Sequence, residues 1–151
     1  MKIEIDNLEG EGVFKLLEEH LADMHATSPP ESIHALDIKS LKSPDIMFWC
    51  ARENGEALGC IALKKLTPVH AEIKSMRTTE AIRGKGVGSS LLEHLLAEVA
   101  DRGYESVSLE TGSQDFFIPA RRLYERFGFE YCEPFSDYKI DPNSLFMTLE
   151  I

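Results

Sequence analysis

One stretch limits the folds open to this chain more than any other: Arg83-Gly84-Lys85-Gly86-Val87-Gly88-Ser89. Three glycines alternate with Lys85 and Val87. A strand-like apolar run, Ala71 to Thr79, precedes them. An apolar helical pattern follows at once: Val87, Leu91, Leu92, Leu95, Leu96 and Val99. Glycine reaches backbone conformations closed to other residues. A strand can therefore turn sharply into a helix whose first N–H groups face solvent. Those groups, with a helix dipole equivalent to roughly half a positive charge, suit an anionic phosphate.

The rest of the chain organises around that unit. Residues 2–6 alternate like a first strand, and Asp6 or Asn7 is expected to cap a helix with the apolar face Val13, Leu16, Leu17, Leu21 and Met24. His20 and His25 lie on or near this helix and have no third partner for a metal. Thr27-Ser28-Pro29-Pro30 ends it. Residues 31–44 read as a loop with one helical turn around Ala35 to Leu41. Ile46 to Ala51 is a buried strand, Asn54-Gly55 a hairpin turn, and Ala57 to Leu66 the partner strand, with Gly59 at a bulge. Ala71 to Thr79 is the fourth strand, with Glu72, Lys74, Met76 and Thr78 expected on one face. After the glycine loop, a helix runs from Val87 to about Arg102, and Gly103 closes it. Glu105 to Thr111 is the fifth strand. Pro119 opens a last helix that Gly128 closes, and Phe129 to Pro134 and Ser144 to Ile151 are the final strands. The predicted order is β-α-β-β-β-α-β-α-β-β, an α/β (α+β) domain with a mixed sheet spanning residues 1–151.

Composition narrows the function. The net charge is −10, which disfavours nucleic acid as a partner. Yet Lys64, Lys65, Lys74, Arg77, Arg83 and Lys85 fall within 22 residues around the glycine loop. A local positive site suits a phosphorylated cofactor, and the acidic remainder attracts a cationic co-substrate such as an amine. No apolar run approaches the ~20 residues that span a bilayer. The acidic, alternating N-terminus is not a signal peptide, so no membrane partner and a cytoplasmic location are expected. Cys50, Cys60 and Cys132 are three reduced thiols, two of them in buried strands, with no spacing for a metal.

Two familiar phosphate loops do not match. A P-loop needs Ser or Thr after its lysine, and Lys85 is followed by Gly86. A dinucleotide loop needs GxGxxG; Gly84-x-Gly86 is followed by Ser89, and Gly86-x-Gly88 by Leu91. Arg83-x-x-Gly86-x-Gly88 instead resembles the R/Q-x-x-G-x-G/A loop of the GNAT superfamily of N-acetyltransferases. Leu123-Tyr124-Glu125-Arg126-Phe127-Gly128-Phe129 is similar to that family's LYekxGF signature. The Asn-Gly hairpin and the element order match as well, so the resemblance covers nearly the whole chain.

The resemblance implies a GNAT fold, acetyl-CoA as co-substrate without a metal, and transfer of acetyl to an amine. The backbone N–H groups of Arg83, Gly84, Lys85, Gly86, Val87, Gly88 and Ser89 would hold the pyrophosphate. Met76, Arg77 and Thr78 match the strand positions that pair with pantetheine where strands four and five part. The N–H of Met76 would stabilise the oxyanion. Tyr124 matches the family's tyrosine acid; otherwise it packs the last helix. Glu72 and Glu110 match two glutamates used as bases in different branches. Either could relay a proton, bind the substrate's cation, or pair with Lys74 or Arg77. Many members carry an asparagine seven residues before the tyrosine, where this chain has Phe117, which either joins the core or walls the acceptor pocket. Members often dimerise, so a homodimer is possible. A non-catalytic CoA-binding module is the alternative to an enzyme.

Overall fold

The computed structural model describes residues 1–27, 29, 38–79 and 84–151. Arg83 and the first residues of the expected turn at Ala35 to Leu41 lie outside the described residues. The chain runs through β1 (Lys2–Ile5), α1 (Glu11–Thr27), a one-turn α2 (Ile38–Leu41), β2 (Ile46–Glu53), β3 (Glu56–Lys65) and β4 (His70–Thr78). It continues through α3 (Val87–Asp101), β5 (Ser106–Gly112), a 3-10 turn at Asp115–Phe117, α4 (Ile118–Arg126), β6 (Glu130–Cys132) and β7 (Ser144–Glu150). Apart from α2, this is the predicted order.

All seven strands join one sheet in the order β1-β2-β3-β4-β5-β7-β6. Every pairing is antiparallel except β4 with β5, which the α3 crossover makes parallel. Asn54 and Gly55 take φ of 52° and 81°, the twist a two-residue hairpin needs. Gly59 sits beside the register shift at Ala51/Arg52, as expected, and a Cβ there would stand 2.8 Å from the Arg77 carbonyl oxygen.

Each face of the sheet buries one helical layer. Leu91, Leu92, Leu95 and Val99 of α3 pack with Trp49, Ile61, Leu63, Ala71 and Ile73. Full burial of each such leucine is worth about 2 kcal/mol. On the opposite face Val13 and Leu41 meet Phe48, Cys50, Cys60 and Ala62. Cys50 and Cys60 are buried free thiols, as expected from their strands.

The start of α1 differs from expectation. Asp6 Oδ1 accepts the Leu8 N–H at 2.8 Å, and Asn7 Oδ1 accepts the Glu9 N–H at 3.1 Å. Both side chains close local turns instead of capping the helix. Asp6 also pairs with Arg52 across the sheet at 2.7 Å. Leu21, predicted on the apolar face, is exposed.

Candidate active site

Pairing between β4 and β5 stops at Ile73↔Leu109, although β4 runs on to Thr78 and β5 to Gly112. Beyond that point the two strands part. A cavity of about 120 Å³ fills the gap, lined by Ser75 and Met76 of β4, Glu110 to Gly112 of β5, and Tyr124 of α4.

A bulge in β4 shapes this cavity. Cys60 pairs with Arg77 and Ala62 with Lys74, so β4 carries one residue more than β3 across the interval. Ser75 absorbs it with φ of 53°. The expectation that Glu72, Lys74, Met76 and Thr78 share a face is therefore wrong. The extra residue turns Arg77 to the side of Glu72 and Lys74, toward α1. Met76 and Thr78 go to the opposite side, where Gly88 of α3 lies: a Cβ at 88 would stand 3.3 Å from Met76 Cε.

Tyr124 is buried under the same sheet face, and its hydroxyl donates to Met76 Sδ at 3.4 Å. Burial raises its pKa well above the ordinary phenol value, since nothing there solvates a phenolate. The group keeps its proton over the whole physiological range and is a donor, not a base.

The two carboxylates singled out in the sequence reach the cavity from neighbouring strands. Glu72 is 2% exposed. Its Oε2 accepts from the Tyr138 hydroxyl at 2.6 Å and lies 3.4 Å from Lys74 Nζ. Lys74 Nζ also donates to the Tyr138 hydroxyl at 2.7 Å. Burial, followed by the charge and hydrogen bond of Glu72, pushes the Tyr138 phenol far upward. Glu110 Oε2 accepts from Ser144 Oγ at 2.8 Å. So Glu72 pairs with Lys74, one of the outcomes foreseen, and Arg77 pairs elsewhere. Its guanidinium, 6% exposed, meets Asp23 and lies 3.7 Å from Glu19, both on α1. His20 and Met24, one residue along from each, then line the cavity.

Tyr138 comes from the closing segment Pro134 to Lys139, which the sequence reading expects to shape the acceptor pocket, whereas Ser144 and His20 were not recognisable as site residues from the sequence. Tyr138 sits in an irregular segment with no periodicity, and the β4 bulge that sets the register has no composition signal.

Phe117 walls the cavity, one of the two roles foreseen. Its ring packs so closely on Gly112 that a Cβ at 112 would stand 2.2 Å from it. Arg121 Nη1 fixes the segment by donating to the carbonyls of Gly112 and Gln114 at 2.7 and 3.1 Å.

At the glycine loop, Gly84 and Gly86 take φ of 82° and 85°, and a Cβ on either would meet nothing within 4 Å. Gly86 is the N-cap of α3 and offers no side chain to its N–H groups. Lys85 is exposed, Val87 buried and Ser89 half-buried. The α-hydrogens of Gly88 face Met76 and Leu123, so its smallness also serves the packing of α3.

Among the described residues no helix is long and apolar enough to cross a membrane. Comparison with known proteins gives a consistent result. The acetyltransferase (GNAT) family matches residues 13–129. The uncharacterised N-acetyltransferase YsnE of Bacillus subtilis is 55% identical over 100% of both chains. The IAA acetyltransferase of Azospirillum brasilense is 38% identical over 91% of this chain and 89% of its own. The crystal structure of a GNAT family acetyltransferase from Elizabethkingia anophelis, with acetyl-CoA bound, superposes with a TM-score of 0.69. It is 19% identical and covers 99% of this chain and 97% of that one.

Proposed function

This chain belongs to the acetyltransferase (GNAT) family, and from that premise we propose that it moves the acetyl group of acetyl-CoA to a primary amine. The acceptor is a small molecule or a lysine-like group, and attack is direct, in a ternary complex. Residues 1–151 form the transferase domain. The observation that carries the proposal is the cavity between the parted ends of β4 and β5, with a buried, protonated Tyr124 and the carboxylate of Glu110 both in its wall.

The residues present fit the coenzyme. The backbone of Gly84 to Ser89, with Arg83 before it, would hold the pyrophosphate, because open space lies over Gly84 and Gly86. Met76, Arg77 and Thr78 would bind pantetheine through their backbone, along the stretch of β4 that β5 has left. The Arg77 side chain takes no part, since it is turned to α1. When bound, the thioester supplies an activated acetyl group.

The chain's own groups do the rest. Met76 N–H holds the acetyl oxygen. Tyr124 Oη gives its proton to the departing sulfur. Glu110, directly or through water, takes the proton of the attacking amine. We assign this to Glu110 rather than Glu72 because Glu72 Oε2 already takes the Tyr138 hydroxyl and faces Lys74. The chain's net charge of −10 draws a cationic amine toward the site.

A thiol-release assay with acetyl-CoA and a panel of primary amines tests the proposal. At least one amine should be turned over well above hydrolysis. If none is, while acetyl-CoA still raises the melting temperature, the chain binds the coenzyme without catalysing transfer.

A further inference from the structure

Glu110 lies on the part of β5 that β4 has already left, so no strand neighbour supports it on that side. A glutamate side chain is flexible, and holding it in one rotamer costs entropy. A general base must nevertheless stay within hydrogen-bond reach of its proton. The other side of β5, where β7 pairs with it, supplies a support.

Ser144 opens β7 opposite Gly112, and Phe146 stands opposite Glu110. Side chains two apart on a strand share a face, so Ser144 is the diagonal neighbour of Glu110. Gly112 puts no side chain between them. Ser144 Oγ donates to Glu110 Oε2 at 2.8 Å, and the serine is 8% exposed. An ionised carboxylate only accepts, so the hydroxyl hydrogen belongs to this bond. A hydroxyl that donates to a carboxylate favours its ionised form, the form that can take a proton.

The serine is itself held in place. Its N–H donates to the Asp141 carbonyl at 3.1 Å. The Ser113 N–H donates to the Asn143 carbonyl at 3.1 Å, and Ser113 Oγ to the Pro142 carbonyl at 2.6 Å. Gln114 Nε2 donates to Asn143 Oδ1 at 3.0 Å. These bonds tie the approach to β7 to the end of β5, which Arg121 grips from α4. Ser144 and Glu110 both line the cavity that Tyr124 enters from the other wall.

We propose that Ser144 is a positioning residue for the transfer: it orients the Glu110 carboxylate toward the amine and keeps it ionised. The amine's N–H bond breaks, its electron pair stays on nitrogen, and the proton passes to Glu110. Ser144 acts through Glu110 and touches none of the reacting atoms in this role. The proposal rests on the assignment of Glu110 as base and adds a residue which that reading does not use.

The test is a double-mutant cycle in the full-length protein, with an amine that the native chain turns over and saturating acetyl-CoA. Ser144→Ala should lower kcat roughly tenfold, the scale of one hydrogen bond to a charged group, and change the KM of either substrate less than threefold. Ser144→Thr, which keeps the hydroxyl, should retain much of the rate. Glu110→Gln should lower kcat further, and adding Ser144→Ala to it should cost less than twofold more. An unchanged kcat in Ser144→Ala would overturn the proposal. So would an equal loss in the native and Glu110→Gln backgrounds, because the serine would then act without Glu110. Full activity in Glu110→Gln would instead remove Glu110 as the base, and the proposal with it, and leave amine acetylation standing.

Discussion

The Tyr124 hydroxyl donates its hydrogen bond to Met76 Sδ, at 3.4 Å, across the gap that β5 leaves beside β4. A phenol on α4 thus points at the strand whose backbone is proposed to hold the acetyl oxygen. Replacing Tyr124 by Phe keeps the ring contact with Phe129, whose centroid lies 5.6 Å away, and removes only the proton donor. The expected result is a fall in kcat of about 10²- to 10⁴-fold, the usual scale of general acid catalysis, with the acetyl-CoA dissociation constant changed less than threefold. Lost coenzyme binding with an unchanged rate would contradict the assignment.

Tyr124 also gives a pH signature for stability. Its phenol is raised by burial above its unfolded value of about 10. Folding stability is therefore fully present below about pH 10 and falls as pH rises through the folded value, because the unfolded chain releases its proton first. Melting curves from pH 8 to 11 should drop more steeply for the native chain than for Tyr124→Phe above pH 10. Parallel curves would show that the ring is solvated.

Gly112 and Phe117 are coupled by contact. Gly112→Ala drives a Cβ to 2.2 Å from the Phe117 ring, which must leave the cavity wall. Destabilisation of about 1–3 kcal/mol is expected, as for other overpacked sites, with a raised acceptor KM. Adding Phe117→Ala should recover much of the stability, and urea melts of the two single variants and the double variant measure the coupling.

Much of this molecule is legible in its letters because packing follows period. The leucine spacing of α3, the alternation of Ser106 to Glu110, and Asn54-Gly55 each state a local geometry that the tertiary fold then uses. Tyr124 and Glu110 were singled out by the resemblance to the GNAT superfamily, which rests on patterned elements. What stayed hidden depends on breaks of period. Ser75 at φ of 53° is a serine in a strand, with no glycine to mark the bulge, and it reverses the face of every later residue in β4. Tyr138 is held by aromatic contacts with Phe135 and Phe146, in a stretch with no helical or strand period to reveal them.

The three cysteines report on the fold directly. Burial raises the Cys50 thiol from 9.0 to about 11 and Cys60 further still, and both lie inside the sheet. Cys132, in the short edge strand β6, is half-buried. A disulfide exchange reagent at pH 8 should label one thiol per native chain at Cys132 and all three after denaturation. Early labelling of Cys60, which donates to the Ser75 carbonyl at 3.3 Å, would mean that the bulge opens readily.

The Arg77 clamp makes a separate prediction about the acceptor wall. Its guanidinium is the contact through which Glu19 and Asp23 hold α1 against β4. Both carboxylates keep partial contact with water, so Arg77→Met should cost about 2–3 kcal/mol, below the range for a fully buried pair. His20 and Met24 shift with α1, so the acceptor KM should rise several-fold more than the acetyl-CoA KM, because the coenzyme is proposed to meet only the backbone at 77. An equal rise in both constants would mean that the bulge itself, and not the α1 wall, depends on this ion pair.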